Sequence, residues 1–239
     1  MQKTTVITGA SRGIGLATAQ LLADQGHEVI GTGRSAPDNF PGTFYEVDFA
    51  DSENLADVST KIIEQHAVSG LVNNAGVSHA QSIWNATLEE MDAHYAVNVR
   101  AAVQITQAML PRLKDAPAGG RIVNLASRVV VGRAVRTPYV ATKAALVGLT
   151  RSWALDLAKD GITVNCIAPG PVATTLFNGN HPEGSKELAD VVASIPMGRV
   201  ADPQEIAGPI AFFLSPAANF ITGQTLYVCG GGSIGHSPM

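Results

Sequence analysis

The chain has 239 residues and a formal net charge of −4, with 46% hydrophobic and only 15% charged residues. Because it has no run of Lys or Arg, it lacks a general attraction for nucleic acid or an anionic membrane, and we expect neither as a partner. Its size suits one buried core, so we predict a single domain over residues 1–239, and two cysteines without a CxxC motif fit a cytoplasmic location.

The first predicted unit is a strand, a glycine-rich turn, a helix and a second strand. The strands cover residues 4–8 and 28–32, the turn is residues 9–15 (GASRGIG), and the helix covers 16–25. Glycines let the backbone approach a diphosphate, and free N–H groups at the start of the helix carry partial positive charge. We predict a phosphate site here, with an ordinary strand-helix turn as the alternative.

The end of the second strand indicates which dinucleotide would bind. A site for NAD needs a carboxylate there for the adenosine 2′-hydroxyl, whereas a site for NADP needs a cation for the 2′-phosphate. Residues 32–35 (TGRS) include no acid, and Arg34 with Arg12 could form a two-cation clamp. The sequence therefore favours NADP(H) over NAD(H), with two solvated arginines as the alternative.

The middle of the chain continues the alternation. A strand at 43–47 ends at Asp48, a helix covers 51–66, and a strand at 69–72 ends in residues 73–76 (NNAG). A long helix over 87–113 is then predicted, starting at a Thr-x-x-Glu capping box. This helix carries Asn98 among apolar neighbours, so we expect that amide to be buried and hydrogen-bonded.

The next strand, 120–126, ends at Ser127 and leads into a helix that runs to about residue 159. This helix carries Tyr139 and Lys143, which are four residues apart and therefore share a face. An ammonium one turn from a phenol favours the phenolate and should lower the pKa of Tyr139 toward neutrality. We predict a proton-transfer pair, with a solvated helix pair as the alternative.

The last part of the chain reads as a strand at 162–168, a helix at 203–214 and a strand at 225–228. Residues 174–196 lack a strong pattern, and we expect a mobile flap over the substrate. No charged residue follows Glu205, so the uncharged end should pack against another subunit.

These elements predict an α/β fold: a doubly wound, seven-stranded parallel sheet with helices on both faces. In such sheets ligands bind at the carboxyl ends of the strands, where the turns described above all lie. The six histidines show no metal-binding spacing, and we expect no catalytic metal.

The ordered motifs resemble those of the short-chain dehydrogenase/reductase family, in its compact single-domain Rossmann-fold branch. Within the family the chain is similar to bacterial 3-oxoacyl-[acyl-carrier-protein] reductases, and the resemblance covers nearly its whole length. The motifs are residues 8–15 (TGASRGIG), 73–76 (NNAG), Asn98, Ser127, Tyr139 with Lys143, 169–174 (PGPVAT) and 220–224 (FITGQ).

The resemblance implies four catalytic residues. Tyr139 would exchange a proton with the substrate oxygen while the nicotinamide exchanges a hydride with its carbon. Lys143 would lower the pKa of Tyr139 and bind the nicotinamide ribose. Ser127 would orient the carbonyl, and Asn98 would hold a water that links Lys143 to solvent.

The resemblance also implies an NADP(H) site. The glycine turn would hold the diphosphate, residues 48–49 the adenine, 74–76 the ribose side, and Val172 with Thr174 the carboxamide. The expected cofactor-binding residues are Gly9, Ser11, Arg12, Gly13, Ile14, Gly15, Arg34, Asp48, Phe49, Asn74, Ala75, Gly76, Tyr139, Lys143, Pro169, Gly170, Val172 and Thr174.

The implied activity is reduction of a ketone or 3-oxoacyl thioester to a secondary alcohol, by a homotetramer. A dehydrogenase of a small secondary alcohol, polyol or steroid is the alternative within the family. A non-catalytic dinucleotide sensor is the alternative outside catalysis, although such proteins usually lose the Tyr or Lys, and both are present here.

The chain departs from the family pattern between Ser127 and Tyr139. These residues are twelve apart, where thirteen is the commoner spacing. The intervening loop carries Arg128, Arg133 and Arg136, which we expect to lie at the rim of the cleft and steer an anionic substrate, with a solvated loop as the alternative. Cys229 stands where relatives usually carry Asp, and its role is not evident from the sequence.

Overall fold

The centre of the fold is a seven-stranded parallel sheet, seen in a computed structural model that describes residues 3–235. Its strands are β1 (Thr4–Thr8), β2 (Glu28–Gly33), β3 (Thr43–Glu46), β4 (Val68–Asn73), β5 (Arg121–Leu125), β6 (Thr163–Pro169) and β7 (Thr225–Val228). They lie side by side in the order β3-β2-β1-β4-β5-β6-β7. The order reverses between β1 and β4, which is the switch point where ligands bind in open α/β sheets.

Helices cover both faces of this sheet. They are α1 (Gly13–Asp24), α2 (Ser52–Gln65), α3 (Leu88–Tyr95), α4 (Ala101–Lys114), α5 (Thr137–Leu157), α6 (Thr175–Asn180), α7 (Lys186–Ala193) and α8 (Pro203–Leu214). One core cluster joins the sheet to α2, α4 and α5, and a second joins it to α1 and α8. The predicted fold class is therefore confirmed. Within residues 3–235, no helix combines the length and apolar character needed to span a membrane.

The predicted helix over 87–113 is two α-helices joined by one wider turn. Thr87 caps α3 by accepting a hydrogen bond from the Glu90 N–H at 3.2 Å. Residues Ala96–Arg100 then form a π-helical turn before α4 begins. The prediction of one regular helix was wrong at this turn, because a 3.6-residue pattern does not reveal a local i→i+5 bond. Asn98 lies inside the turn and is buried, as expected.

Residues 174–196 contain two short helices, α6 and α7. Thr174 caps α6 by accepting from the Phe177 N–H at 3.2 Å, and Ser185 caps α7 by accepting from the Leu188 N–H at 3.1 Å. A Ser or Thr before a helix is a recognisable start signal. Both helices are nevertheless too short to show a long apolar period, which is why the sequence did not predict them. The mobility of this segment stays a prediction.

Candidate active site

Two adjoining cavities open along the carboxyl edge of the sheet. The first, about 500 Å³, follows the turn between β1 and α1, and we call it the glycine cavity. The second, about 700 Å³, is lined by Ser127, Tyr139 and Lys143, and we call it the tyrosine cavity. Tyr139 and Asn74 line both. The fold therefore brings the predicted dinucleotide turn and the predicted proton-transfer pair into one continuous cleft.

The glycines of the turn are required by backbone geometry. Gly9 and Gly13 adopt φ of +65° and +56°, values that residues with a Cβ rarely adopt. A Cβ on Gly9 would lie 2.9 Å from the Ala75 Cα, so the turn also packs directly against the end of β4. Gly15 does not line either cavity, because it packs beneath the turn, where a Cβ would collide with the Gly9 carbonyl and the Asn74 amide.

Asn74 and Thr8 hold the turn in place. The Asn74 Nδ2 donates to the carbonyl oxygens of Thr8 and Gly9 at 2.8 and 3.0 Å. The Thr8 Oγ1 in turn accepts from the N–H groups of Asn74 and Ala75, each at 2.9 Å. Asn74 therefore acts on the glycine turn as well as lining the expected ribose side, a contact that sequence spacing does not show.

The glycine cavity suits a dinucleotide diphosphate. Ser11, Arg12, Gly13 and Ile14 line it, and α1 begins at Gly13, so the unpaired N–H groups of its first turn are available beside the cavity. Further along, Asp48 and Phe49 line the same cavity. The Asp48 carboxylate accepts from the Ala50 N–H at 2.9 Å, which fixes the turn that follows β3.

Arg12 and Arg34 both line the glycine cavity. Within residues 3–235, neither guanidinium forms a salt bridge or a hydrogen bond to another residue. Because Arg34 follows the end of β2 directly, an uncompensated positive charge stands where a carboxylate would be expected in a site for NAD. The residues present thus fit a dinucleotide with a phosphate on its adenosine ribose.

Tyr139 and Lys143 lie on the first turns of α5, as their spacing predicted. The Lys143 Nζ lies 5.8 Å from the centroid of the Tyr139 ring and donates to the Leu125 carbonyl oxygen at 2.6 Å. Lys143 is only 4% exposed. The ammonium is thus held by the end of β5 behind the phenol.

The pKa values of this pair are set mainly by burial. Burial raises the pKa of Tyr139, and the Ser127 hydroxyl and the Arg136 charge oppose that shift without overcoming it. Burial also lowers the pKa of Lys143 to about 8. The expectation that Lys143 would draw the pKa of Tyr139 toward neutrality was therefore wrong in direction. The reason is desolvation of the phenol, which outweighs the opposing effects of Ser127 and Arg136 on its pKa.

Ser127 follows β5 and lines the tyrosine cavity with Tyr139, so the shorter loop between them does not separate them. Its Oγ accepts from the Val129 N–H at 3.4 Å at the start of a short 3₁₀ turn. Later in the loop Val135 adopts φ +59°. A β-branched residue in the left-handed region is unusual.

Asn98 lines neither cavity, but its amide is close to Lys143. Its Oδ1 accepts from the Val77 N–H at 2.8 Å, and its Nδ2 donates to the Val77 carbonyl and the Thr142 Oγ1, each at 3.0 Å. A Cβ placed on Gly76 would lie 3.2 Å from that Oδ1 and 3.3 Å from the Lys143 Nζ. Asn98 therefore fixes the loop after β4 against α5, directly behind Gly76.

The end of β6 and the turn after it form part of the wall of the tyrosine cavity. Pro169, Gly170, Val172 and Thr174 all line it. Gly170 packs against Cys229, because a Cβ there would lie 2.8 Å from the Cys229 Cα. Cys229 is buried and donates to the Ser233 Oγ at 3.2 Å, so in this structure it supports that wall.

The three loop arginines are separated by the structure. Arg136 lines the tyrosine cavity, whereas Arg128 donates to the Gly232 carbonyl at 3.1 Å and Arg133 is an exposed residue outside the cavity. Of the three arginines expected at the rim of the cleft, only Arg136 lines the tyrosine cavity.

Histidines also line the tyrosine cavity, which sequence reasoning missed by treating them as surface residues. His181 directly follows α6 and stacks on Phe177, with ring centroids 4.2 Å apart. His79 comes from the loop after β4 and follows the NNAG motif by three residues, which is the one signal that could have placed it here.

His79, Glu90 and His94 form a cluster of potential metal ligands, with ligand atoms within 4.8 Å of one another. The buried His94 accepts from the His79 N–H through Nε2 at 3.0 Å, so its proton lies on Nδ1, which donates to the Glu90 carbonyl at 2.8 Å. Both nitrogens of His94 are thus used by the backbone. The cluster is therefore better described as a hydrogen-bonded support for the loop than as a metal site.

Comparison with known proteins agrees with this geometry. A family model described as enoyl-(acyl carrier protein) reductase matches residues 9–233. The 3-oxoacyl-[acyl-carrier-protein] reductase FabG of Vibrio cholerae is 36% identical over 96% of both chains. A solved structure of a short chain dehydrogenase/reductase family protein superposes with a TM-score of 0.88, at 33% identity over 97% of both chains. The chain belongs to the short-chain dehydrogenase/reductase family.

Members of this family are oxidoreductases that act on CH–OH and C=O groups with a nicotinamide dinucleotide. A family structure from Beutenbergia cavernae, assigned as an NAD(P)-dependent gluconate 5-dehydrogenase, contains NADP at low occupancy. It superposes with a TM-score of 0.89 at 33% identity over 96% of both chains. A cleft with two adjoining cavities is compatible with such a cofactor and a substrate.

Proposed function

We propose that this protein is an NADP(H)-dependent reductase that converts a ketone or a 3-oxoacyl thioester to a secondary alcohol. The observation that carries the proposal is the position of Tyr139 at the junction of the two cavities, where it lines both. A proton donor at that point can reach a substrate carbonyl while the carbon faces the cofactor. The names of the relatives support this reaction class.

The direction of the pKa shift at Tyr139 favours reduction. Because burial raises its pKa, the phenol is protonated at neutral pH and can give a proton to the carbonyl oxygen. The bound nicotinamide cofactor would supply the hydride. Ser127 would donate a hydrogen bond to the same oxygen as it gains charge, and Lys143 would stabilise the phenolate that remains.

A second candidate is the reverse reaction, the NAD(P)-dependent oxidation of a small secondary alcohol such as a polyol or a steroid. The specific observation in its favour is the family structure assigned as a gluconate 5-dehydrogenase. In that direction Tyr139 would have to act as a base, so its raised pKa makes oxidation slow at neutral pH and faster at alkaline pH.

An activity panel tests these proposals directly. Ketones and 3-oxoacyl thioesters should be supplied with NADPH and NADH in parallel, and secondary alcohols with NADP⁺ and NAD⁺. We expect turnover of carbonyl substrates with NADPH in preference to NADH. Cofactor binding with no turnover on any substrate would instead indicate a non-catalytic dinucleotide sensor.

The pH dependence of the reduction should report the loss of the proton from Lys143. Its pKa is lowered to about 8, so the ammonium is present below that pH and is lost as the pH rises through it. We expect kcat/KM for a ketone to be constant near neutrality and to fall above about pH 8, because the free enzyme then lacks the cation that stabilises the phenolate. A profile that stays flat well above this value, in enzyme shown to remain folded, would contradict this role.

We also propose that the chain assembles as a homotetramer in the cytoplasm. The support is a set of large apolar side chains exposed within the uncharged end of the chain, namely Phe212, Phe220, Leu226, Tyr227 and Ile234. Burial of such side chains between subunits would remove apolar surface from water. Light scattering in solution measures the mass, and a monomer across micromolar concentrations would contradict the proposal.

A further inference from the structure

The tyrosine cavity has a charge opposite in sign to that of the protein. Its lining residues include the cationic Arg136 and Lys143 and two histidines, His79 and His181, and no Asp or Glu among the described residues. The whole chain, by contrast, has 20 acidic residues against 16 Lys and Arg. A basic, partly enclosed cavity in an acidic protein favours an anionic ligand over a neutral one of the same shape.

Arg136 is held in the cavity by the backbone. A short parallel bridge pairs it with Gln81, and the Thr137 N–H donates to the Gln81 carbonyl at 2.9 Å. The residue before it is Val135, at φ +59°. Within residues 3–235 the guanidinium forms no salt bridge and no hydrogen bond to another residue. A positioned, unpaired cation beside a cavity is a candidate for binding an anion.

His79 is held beside the same cavity by two contacts. Its Nδ1 lies 3.0 Å from a carboxylate oxygen of Glu90, which can only accept, so Nδ1 carries the proton. Its backbone N–H is bonded to His94, and its ring packs edge-on against that of His94, with centroids 5.0 Å apart. The orientation of His79 is therefore fixed, and because its proton lies on Nδ1, its Nε2 can only accept a hydrogen bond. His79 thus shapes this side of the cavity, and Arg136 supplies the positive charge.

We propose that the substrate of this site carries a free carboxylate close to its reacting carbonyl, and that Arg136 binds that end of the molecule. The inference rests on the proposed reductase function and narrows its substrate class to an oxo acid, with the hydroxy acid as product. In the reaction the ketone carbon gains a hydride from the reduced nicotinamide. The ketone oxygen gains the proton of Tyr139, and the carboxylate is unchanged.

The position of Arg136 distinguishes this class from an acyl thioester. Arg136 lines the same cavity as Tyr139, precedes it by three residues at the start of α5, and carries a charge that acts on the Tyr139 phenol, so we place the anion it binds near the reacting carbon. In a 3-oxoacyl thioester the group beside that carbon is neutral, and the phosphate is separated from it by the length of the pantetheine arm. A carboxylate within a few bonds of the ketone satisfies both Arg136 and Tyr139.

Matched pairs of substrates test the proposal. The 2-, 3-, 4- and 5-oxo forms of short linear acids should be compared with their methyl esters, which keep the ketone and lose the charge. The wild-type enzyme should prefer at least one acid over its ester. Arg136→Gln should lower kcat/KM for that acid by about 10- to 100-fold, mainly through KM, and leave the ester little changed.

The same loop provides a matched control. Arg133→Gln removes one positive charge from an exposed position outside the cavity and should leave both kcat/KM values unchanged. Equal losses on acid and ester in Arg136→Gln would overturn the proposal, since they would indicate a general role in folding or in proton transfer.

A binding measurement separates failure of this inference from failure of the proposed function. Butyrate and butyramide are unreactive, similar in size and different in charge, and calorimetry with and without NADPH measures their binding. Butyrate binding that is lost in Arg136→Gln, with weak binding of butyramide, supports the carboxylate site even if no oxo acid is reduced. Equal affinity for both, or butyrate binding unchanged in Arg136→Gln, would reject the site even if ketones are turned over.

Discussion

Replacing Tyr139 with phenylalanine should lower kcat for ketone reduction by about 10²- to 10⁴-fold, the usual contribution of a general acid. The ring remains, so the junction between the two cavities keeps its shape, and only the hydroxyl is removed. Water would then have to protonate the carbonyl oxygen. Steady-state rates with saturating NADPH measure the effect.

Two controls make this loss interpretable. NADPH affinity, followed by quenching of protein fluorescence or by calorimetry, should fall much less than kcat in Tyr139→Phe, because the glycine turn and the two arginines are untouched. Tyr95→Phe removes the hydroxyl of an exposed tyrosine outside both cavities and should retain full activity. Activity of Tyr139→Phe close to that of the wild type would contradict the assignment of Tyr139 as the acid.

The positions of the site residues could be predicted because they follow from chain order. In a parallel α/β sheet every strand ends at the same edge, so the motifs after β1, β2, β4, β5 and β6 had to meet there. The Tyr139 and Lys143 pair needed only the four-residue spacing of a helix. These predictions depend on local periodicity and on topology, both of which the sequence contains.

The electrostatics of the pair could not be predicted in the same way. Spacing indicates that Lys143 is near Tyr139, but not that its ammonium bonds to Leu125, nor that burial outweighs the neighbouring charges. The net shift depends on how much water the surrounding loops exclude, which is a property of the whole fold. A pattern of residue types therefore predicts that the two side chains lie close together, but not the protonation state of either one.

The loop after β4 shows a second reason why some site residues could not be predicted from the sequence. The contacts of His79 with Glu90 and His94 join residues 11 and 15 positions away in the chain, across the start of α3. The π-helical turn around Asn98 similarly depends on Val77 and Thr142, which lie on other elements. Such contacts have no sequence period. They become visible only when the three elements are packed together.

Replacing both Arg12 and Arg34 with glutamine should abolish the preference for NADPH over NADH. Each guanidinium is unpaired within the described chain and lines the glycine cavity, so each is free to bond the 2′-phosphate. Loss of one charge-assisted hydrogen bond should weaken NADPH binding by about 10- to 100-fold. The double variant should lose more NADPH affinity than either single variant. The two fold-changes need not multiply, because neighbouring groups are not independent. Dissociation constants for both nucleotides measure the change.

NADH provides the internal control for this pair, because it has the same diphosphate, nicotinamide and adenine but no 2′-phosphate. Its affinity should be little changed in the single and double variants, and Arg151→Gln, an exposed arginine outside both cavities, should affect neither nucleotide. Equal weakening of NADPH and NADH would mean that the arginines contact the diphosphate or stabilise the turn. The choice of cofactor would then depend on something other than the positive charge after β2.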